Sequence, residues 1–175
     1  MGMNGVMGFD PSLRSAGYCF LSEGVPMYGV ITPGEYRGFY RMRFIRDEFM
    51  ELLEISRASL VAYEGYAMNA VGRRHDQAEL GGILKMLAWE CGIDVLLVPP
   101  ATLKLFMTGQ GKSDKAAMRK AIQRRWGVTI SQDDAADAYA LMRLGQCRLD
   151  AVMRREEERA DTALCKCEYV KGLRG

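Results

Sequence analysis

Several features that define common protein classes are scarce or absent in this sequence. The five cysteines include no CxxC pair, so neither a disulfide framework nor a zinc site is indicated. No apolar run is long enough to span a bilayer, and the first residues lack the basic-then-apolar pattern of a secretion signal. We therefore expect a cytoplasmic protein that has no membrane partner.

The net charge is also small. A value of +2 excludes a polybasic tail, although a nucleic-acid surface can still be built from locally clustered basic residues. The hydrophobic share of 49% and the length of 175 residues suffice for the core of one globular domain. No internal repeat or low-complexity segment is present, so a single globular domain is the expectation.

Short apolar runs alternate with segments of helical periodicity, which predicts an α/β protein with a five-stranded mixed sheet. The first three strands form an antiparallel meander, and the last two, joined through a helix, form a parallel pair. The predicted strands cover residues 6–10, 17–21, 26–31, 60–64 and 94–99. The predicted helices, on both faces of the sheet, cover residues 37–57, 76–90, 116–126 and 131–148. The charge-rich segment 149–175 is assigned to a C-terminal extension of the domain at 1–148, as a solvated helix and a short tail.

Two acidic residues share one face of the last predicted helix, which Ser131 can cap. At helical spacing, Asp134 and Asp137 project from the same side as Ala138 and Leu141, which should pack inward. Uncompensated charges there are unfavourable, and a hard divalent cation would compensate them. The alternative is two acids in a first helical turn, stabilised by the macrodipole and hydrated at the edge of the core. Asp133 lies on the flank of this face, where a capping or solvated role is expected.

Two further acids end predicted strands. Asp10 follows the first strand and Glu64 follows the fourth, although Asp10 also fits ordinary turn chemistry before Pro11. If these strands are neighbours, both carboxylates lie at one edge of the sheet, and a crossing helix could add the other two acids. Four carboxylates together require cations, and ligation by carboxylates alone selects Mg²⁺ or Mn²⁺ over zinc. Two such ions are the arrangement for phosphodiester displacement.

A basic loop is predicted over residues 104–115. Gly109 and Gly111 allow its backbone to approach a phosphate, and Lys104, Lys112 and Lys115 supply positive charge. The GQGKSDK sequence lacks the spacing of a Walker loop. By itself the segment is typical of a flexible basic loop, whereas beside the four acids phosphate positioning explains it better.

Other basic residues carry less information. Helix 116–126 contains Arg119, Lys120, Arg124 and Arg125, for which a solvated surface and a second DNA contact both remain open. The arginines at positions 41, 43 and 46 of the first helix are expected on a solvated face. The single histidine, His75, is given no catalytic role.

Four segments together resemble a known family. GFDPSLRSAGY, VAYEGYAMNA, KLFMTGQGKSDK and DDAADAYALM are similar, in order and spacing, to segments of RuvC-type Holliday junction resolvases, which have an RNase H-like fold. The resemblance covers roughly residues 5–146. It implies an RNase H-like nuclease domain in a bacterial or phage-infected cell. The implied activity is that of a Mg²⁺-dependent homodimeric endonuclease of DNA recombination and repair, which nicks a four-way junction symmetrically.

The resemblance also implies roles for individual residues. Asp10, Glu64, Asp134 and Asp137 match the family's catalytic and metal-binding carboxylates, which hold two Mg²⁺ ions per site, with Mn²⁺ able to substitute. Lys104 and Lys115 match lysines near the scissile phosphate, where Lys112 can assist. Helix 76–90 matches the dimer-forming helix.

One departure from the family concerns junction recognition. Well-known bacterial members have an aromatic residue three positions after the glutamate, where this chain has Ala67. Tyr66 and Met68 are the neighbouring residues that can replace this contact, and Arg73 and Arg74 complete the predicted DNA-binding set. A weaker or altered junction preference follows. Ala67 leaves open a less selective nuclease for flaps, forks or RNA–DNA hybrids. A non-catalytic junction-binding protein is a separate alternative, against which an intact set of four carboxylates argues.

Overall fold

The computed structural model describes residues 5–65, 75–154 and 168–173. Strands and helices follow each other as the periodicity predicts, and most strand boundaries lie within two residues of the predicted ones. The strands are β1 (Gly5–Asp10), β2 (Ala16–Ser22), β3 (Val25–Ile31), β4 (Ala58–Glu64), β5 (Asp94–Val98) and β6 (Glu168–Val170). The helices are α1 (Gly38–Ser56), α2 (His75–Glu90), α3 (Pro100–Thr108), α4 (Lys115–Trp126) and α5 (Asp133–Arg154).

The strands form one mixed sheet in the order β3-β2-β1-β4-β5-β6. The antiparallel meander of β1 to β3 and the parallel pairing of β4 with β5 are confirmed, and β1 pairs with β4 in parallel. In the part of the chain that the structure describes, the sheet has six strands, so the predicted number of five is wrong.

The sixth strand comes from the C-terminal extension and pairs antiparallel with β5. Buried Asp94, at the start of β5, accepts hydrogen bonds from the Tyr169 hydroxyl and, at 2.7 Å, from the Gly172 backbone N–H. A strand of three residues is too short for a periodicity to reveal. It forms because the edge of β5 offers unpaired backbone groups.

The sheet has a hydrophobic core on each face. Helices α1 and α2 cover one face, where Ile45, Phe49 and Leu84 are buried. Helix α5 covers the other face and lies between the sheet and helices α3 and α4. Alanines at positions 135, 136, 138 and 140 are all buried. Helix α5 is therefore enclosed on nearly every side, whereas the sequence pattern indicated a single inward stripe.

The predicted basic loop at 104–115 differs from the structure at its start. Residues 104–108, predicted as loop, belong to helix α3, which begins at Pro100 because proline is preorganised for the first helical position. The helix ends at Gly109, which has φ 78° and donates its N–H to the Leu105 carbonyl. Lys104 is thus held on a helix.

Helices α4 and α5 also differ from their predicted bounds. Helix α4 begins at Lys115, one residue early, where the Asp114 carboxylate caps it by accepting the Ala117 N–H at 2.7 Å. Helix α5 begins at Asp133 rather than Ser131 and continues to Arg154 rather than 148. Over the ranges described, no helix has the length and hydropathy that crossing a membrane would require.

Candidate active site

Asp10 and Glu64 lie side by side at one edge of the sheet. Strands β1 and β4 are parallel neighbours with Phe9 aligned to Tyr63, so the residues that follow them meet at the same edge. Asp10 is 9% exposed, and its carboxyl group is hydrogen-bonded to that of Glu64. In the turn after Asp10, it is the Ser12 hydroxyl, and not the Asp10 carboxylate, that accepts the backbone N–H groups of Arg14 and Ser15. Turn chemistry therefore does not account for Asp10.

Helix α5 reaches this edge because two strand glycines let its backbone lie directly on the sheet. A Cβ atom added at Gly17 would lie 2.0 Å from the Asp134 carbonyl oxygen, and one added at Gly8 would lie 2.0 Å from the Ala138 carbonyl oxygen. Gly17 is the β2 partner of Asp10. The close approach therefore brings the start of α5, with Asp134 and Asp137, beside Asp10. Glycine inside a strand was the available sequence signal for this contact.

Burial and mutual repulsion raise the pKa values of three of the acids. The pKa of Asp10 lies well above its usual range, first because of burial and then because of Glu64, Asp137 and Asp134. Burial also raises the pKa of Glu64. The pKa of Asp137 rises to about 6, through burial and then the charge of Glu64. Four carboxylates from three separate segments of the chain therefore form one electrostatic cluster, which we call the acid cluster.

Two of the predicted lysines act electrostatically on the acid cluster. Lys104 and Lys115 both lower the pKa of Glu64, and Lys115 also lowers that of Asp137. The Lys115 Nζ is 3.8 Å from Asp134 Oδ1. Lys112 is exposed in the loop between α3 and α4 and forms no ion pair with a described residue. The structure thus brings together the acids with Lys104 and Lys115.

Asp133 and Arg119 were not recognised as partners from the sequence. Asp133, expected to be capping or solvated, is ion-paired with Arg119, and its Oδ2 is 3.5 Å from Lys115 Nζ. Lys115 and Arg119 are four residues apart, so they share one face of α4. The four-residue spacing of these two basic residues was the sequence feature from which their shared role could have been predicted. The two ion pairs tie the starts of α4 and α5 together and hold the Lys115 ammonium at the acid cluster.

The remaining predicted DNA-binding residues lie outside the described residues, as does Ala67; they are Tyr66, Met68, Arg73 and Arg74.

The donor set of the acid cluster fits a hard divalent cation. Within the described ranges, no three acidic, histidine or cysteine side chains are already arranged as a metal-binding group. Glu64, Asp137 and Asp134 nevertheless all lie close enough to Asp10 for their charges to raise its pKa. The ammonium of Lys115, 3.8 Å from Asp134 Oδ1, offsets part of the repulsion among these acids. Oxygen donors alone, without thiolate or imidazole, match Mg²⁺ or Mn²⁺ rather than zinc.

The raised pKa values predict how stability depends on pH. Because Asp10, Glu64 and Asp137 hold protons more tightly when folded, the native state binds more protons than the unfolded state above about pH 4. The free energy of unfolding of the metal-free protein should therefore fall as pH rises from about 4 to about 7. Asp137 alone should contribute on the order of 2 kcal/mol to this loss.

Urea unfolding at a series of pH values in EDTA measures this dependence. Asp137→Asn should flatten the slope, and excess Mg²⁺ should restore stability above pH 6 because it binds only the folded site. A slope that Asp137→Asn leaves unchanged would contradict the assignment.

Comparisons with known proteins agree with this architecture. The family model described as crossover junction endodeoxyribonuclease RuvC matches residues 6–143. A protein of that description from Gloeobacter violaceus is 30% identical over 149 residues, which cover 80% of this chain and 86% of the relative. Thermus thermophilus RuvC, solved in complex with a Holliday junction substrate, has a TM-score of 0.70 at 20% identity over 83% of this chain and 96% of that chain.

A more distant structure shares the fold. The yeast mitochondrial Holliday junction resolvase Ydc2 has a TM-score of 0.56 at 16% identity, and the match covers 86% of this chain and 83% of the Ydc2 chain. The resemblance inferred from four sequence segments is confirmed, since the family match spans the residues from β1 to the middle of α5. This chain belongs to the RuvC family of crossover junction endodeoxyribonucleases.

Proposed function

We propose that the protein is a Mg²⁺-dependent, structure-specific endonuclease that resolves Holliday junctions by paired symmetric nicks in DNA recombination and repair. The observation that carries this proposal is the acid cluster, in which Asp10, Glu64, Asp134 and Asp137 meet at one sheet edge with Lys104 and Lys115 beside them. Membership of the family and the fold shared with a RuvC solved on a Holliday junction support the substrate class.

The four carboxylates would hold the metal. Nucleases of this family generally depend on divalent metal, and we assign two Mg²⁺ ions to the site, with Mn²⁺ able to substitute. Held by these carboxylates, such ions would supply activation of the attacking water and stabilisation of the leaving oxygen. The protein's contribution is rigidity, because Asp10 and Glu64 end paired strands and Asp134 and Asp137 lie on a helix in direct backbone contact with the sheet.

The lysines would position the scissile phosphate. Lys104 on α3 and Lys115 on α4 approach the acid cluster from the helices that cover α5. Their ammonium groups can neutralise the phosphate oxygens that do not take part in bond breaking. Lys112, exposed in the intervening loop, can contact a neighbouring phosphate.

Paired nicks require two sites, and we assign a homodimer that forms through helix α2. The outer surface of α2 exposes Ile83 and Met86, at 37% and 56%, beside Phe39 and Tyr40 of α1, at 81% and 76%. A surface cavity of about 310 Å³ lies between these helices. An apolar patch of this kind on two adjacent helices is typical of a self-complementary interface.

A second candidate function follows from Ala67. Without the family's aromatic residue at that position, the same site can act as a less selective nuclease on flaps, forks or RNA–DNA hybrids. This alternative keeps the acid cluster and changes only the recognition of DNA shape.

The proposal is tested by incubating purified protein and Mg²⁺ with a four-way junction, a flap, a fork and an RNA–DNA hybrid in one competition reaction. We expect the junction to be cut first, at symmetric positions on opposing strands, and a plasmid carrying an extruded cruciform to become linear. Equal cutting of all substrates would favour the less selective nuclease. Junction binding without cleavage in either Mg²⁺ or Mn²⁺ would favour a non-catalytic binding protein.

A further inference from the structure

A second basic site lies apart from the lysines, in a surface cavity of about 410 Å³. Three arginines, Arg14, Arg37 and Arg41, line it together with Thr32, and we call it the arginine pocket. The sequence predicted only a solvated face for Arg41 and assigned nothing to the other two. Among the residues that the structure describes, none of those lining the cavity is acidic.

Three segments of the chain build the pocket. Arg14 comes from the loop that follows β1, where the Ser12 hydroxyl holds the backbone of the turn. Thr32 follows β3, and the pairing of Ala16 with Ile31 places the end of that strand beside the loop. Arg37 and Arg41 lie one helical turn apart at the start of α1. No sequence window contains the whole set.

The arginines are only weakly neutralised within the protein. The ion pair of Arg37 with Glu35 spans 3.5 Å, and both side chains are well exposed, so solvent screens it. Arg41 uses its Nε to donate to the Tyr36 carbonyl at 2.9 Å, which leaves its terminal amino groups for another acceptor. The side chain of Arg14 has no hydrogen bond or ion pair with a described residue. Three like charges around one cavity favour the binding of an anion.

The pocket lies at the same sheet edge as the acid cluster. The loop that carries Arg14 begins directly after Asp10, and the end of β3 is at the edge where β1 and β4 end. A DNA strand at the acid cluster can therefore continue over this loop. In addition, the first turn of α1 has no side-chain cap and no acidic residue. The positive end of the helix dipole is therefore not offset there, and it adds to the potential of the arginines.

We propose that the arginine pocket binds a backbone phosphate of the DNA substrate, on the strand that flanks the scissile phosphate. Guanidinium groups suit this role because their paired N–H donors match two phosphate oxygens. The inference rests on the proposed function, since it takes DNA to be the substrate. It adds a phosphate site on the α1 side of the sheet, opposite the lysines on α3 and α4.

The first test measures the salt dependence of junction binding, in a Glu64→Gln background with Mg²⁺ so that the DNA stays intact. Arg14→Gln and Arg41→Gln should each weaken binding roughly tenfold at 0.1 M KCl and reduce the slope of log Kd against log salt by about one. Arg57→Gln is the matched control, because Arg57 is the exposed C-cap residue of the same helix, at the end opposite the pocket. Equal slopes for the Arg14 and Arg57 variants would overturn the proposal.

The second test identifies the phosphate. Junctions carrying one neutral methylphosphonate at successive positions should reveal a flanking phosphate whose neutralisation weakens binding of the protein but not of its Arg14→Gln variant. Arg14→Lys, which keeps the charge without the paired donors, should retain the salt slope and lose affinity. If no phosphate behaves in this way while the junction is bound and cut, the pocket is not a phosphate site and the proposed function stands. If the protein neither binds nor cuts any branched DNA, the proposed function itself fails.

Discussion

Asp10→Asn is expected to reduce the rate of junction cleavage by roughly 10³-fold or more, because it removes a buried charge on which metal binding depends. The substitution preserves the shape of the side chain and removes an ionisable group whose pKa is raised by burial and then by repulsion from Glu64. The metal-free variant should therefore be more stable than the parent protein at pH 7, and junction binding should persist. Loss of activity combined with a gain in stability cannot result from misfolding.

Single-turnover cleavage and thermal unfolding of the same preparations test this expectation. Glu64→Gln should behave similarly, since Glu64 shares the hydrogen bond with Asp10. Asp150→Asn, further along α5, is the control and should leave the cleavage rate unchanged, because its contact is with Gln146 rather than with the acid cluster. Cleavage by Asp10→Asn within tenfold of the parent rate would remove Asp10 from the catalytic set.

Gly17→Ala is expected to have the second-largest effect, through geometry rather than charge. The new methyl group would lie 2.0 Å from the Asp134 carbonyl oxygen and 2.4 Å from its carbonyl carbon. Both atoms belong to the backbone, so either β2 or the start of α5 must move. We expect a destabilisation of roughly 1–3 kcal/mol. We also expect a loss of cleavage of about 10²-fold, because displacement by about 1 Å disrupts catalytic positioning.

Substitutions of two other glycines separate the effect on stability from the effect on cleavage. Gly145 lies on α5, two turns or more beyond Asp137. In Gly145→Ala the new methyl group would contact the side chains of Val6 and Ala62. It should therefore destabilise the fold and affect cleavage less than Gly17→Ala. Gly82→Ala, exposed on α2 with no heavy atom within 4 Å of the new methyl group, should leave the stability unchanged or raise it slightly. Parent-like stability and cleavage in Gly17→Ala would show that the contact of α5 with the sheet does not position the acids.

The local pattern of the chain predicted most of the elements. Apolar runs ending in Asp10 and Glu64, and helical spacing from Asp134 onward, are properties of neighbouring residues, which periodicity can detect. The five-strand count was wrong because β6 is formed by the edge of β5 rather than by its own three residues. Helix α3 was missed for a related reason, since Lys104 and the residues around it were grouped with the glycines that follow.

By itself, the sequence determined the class of fold and the family to which the chain belongs, and it predicted the four candidate carboxylates and a basic segment to accompany them. Only the tertiary structure decided that Gly8 and Gly17 admit helix α5 to the sheet, that Asp133 pairs with Arg119, and that Arg14 meets Arg37 and Arg41 in one pocket. The physical reason is distance along the chain. Periodicity reports which residues share a face of one element, whereas contacts between elements depend on how closely backbones can approach and on which charges are left to be compensated.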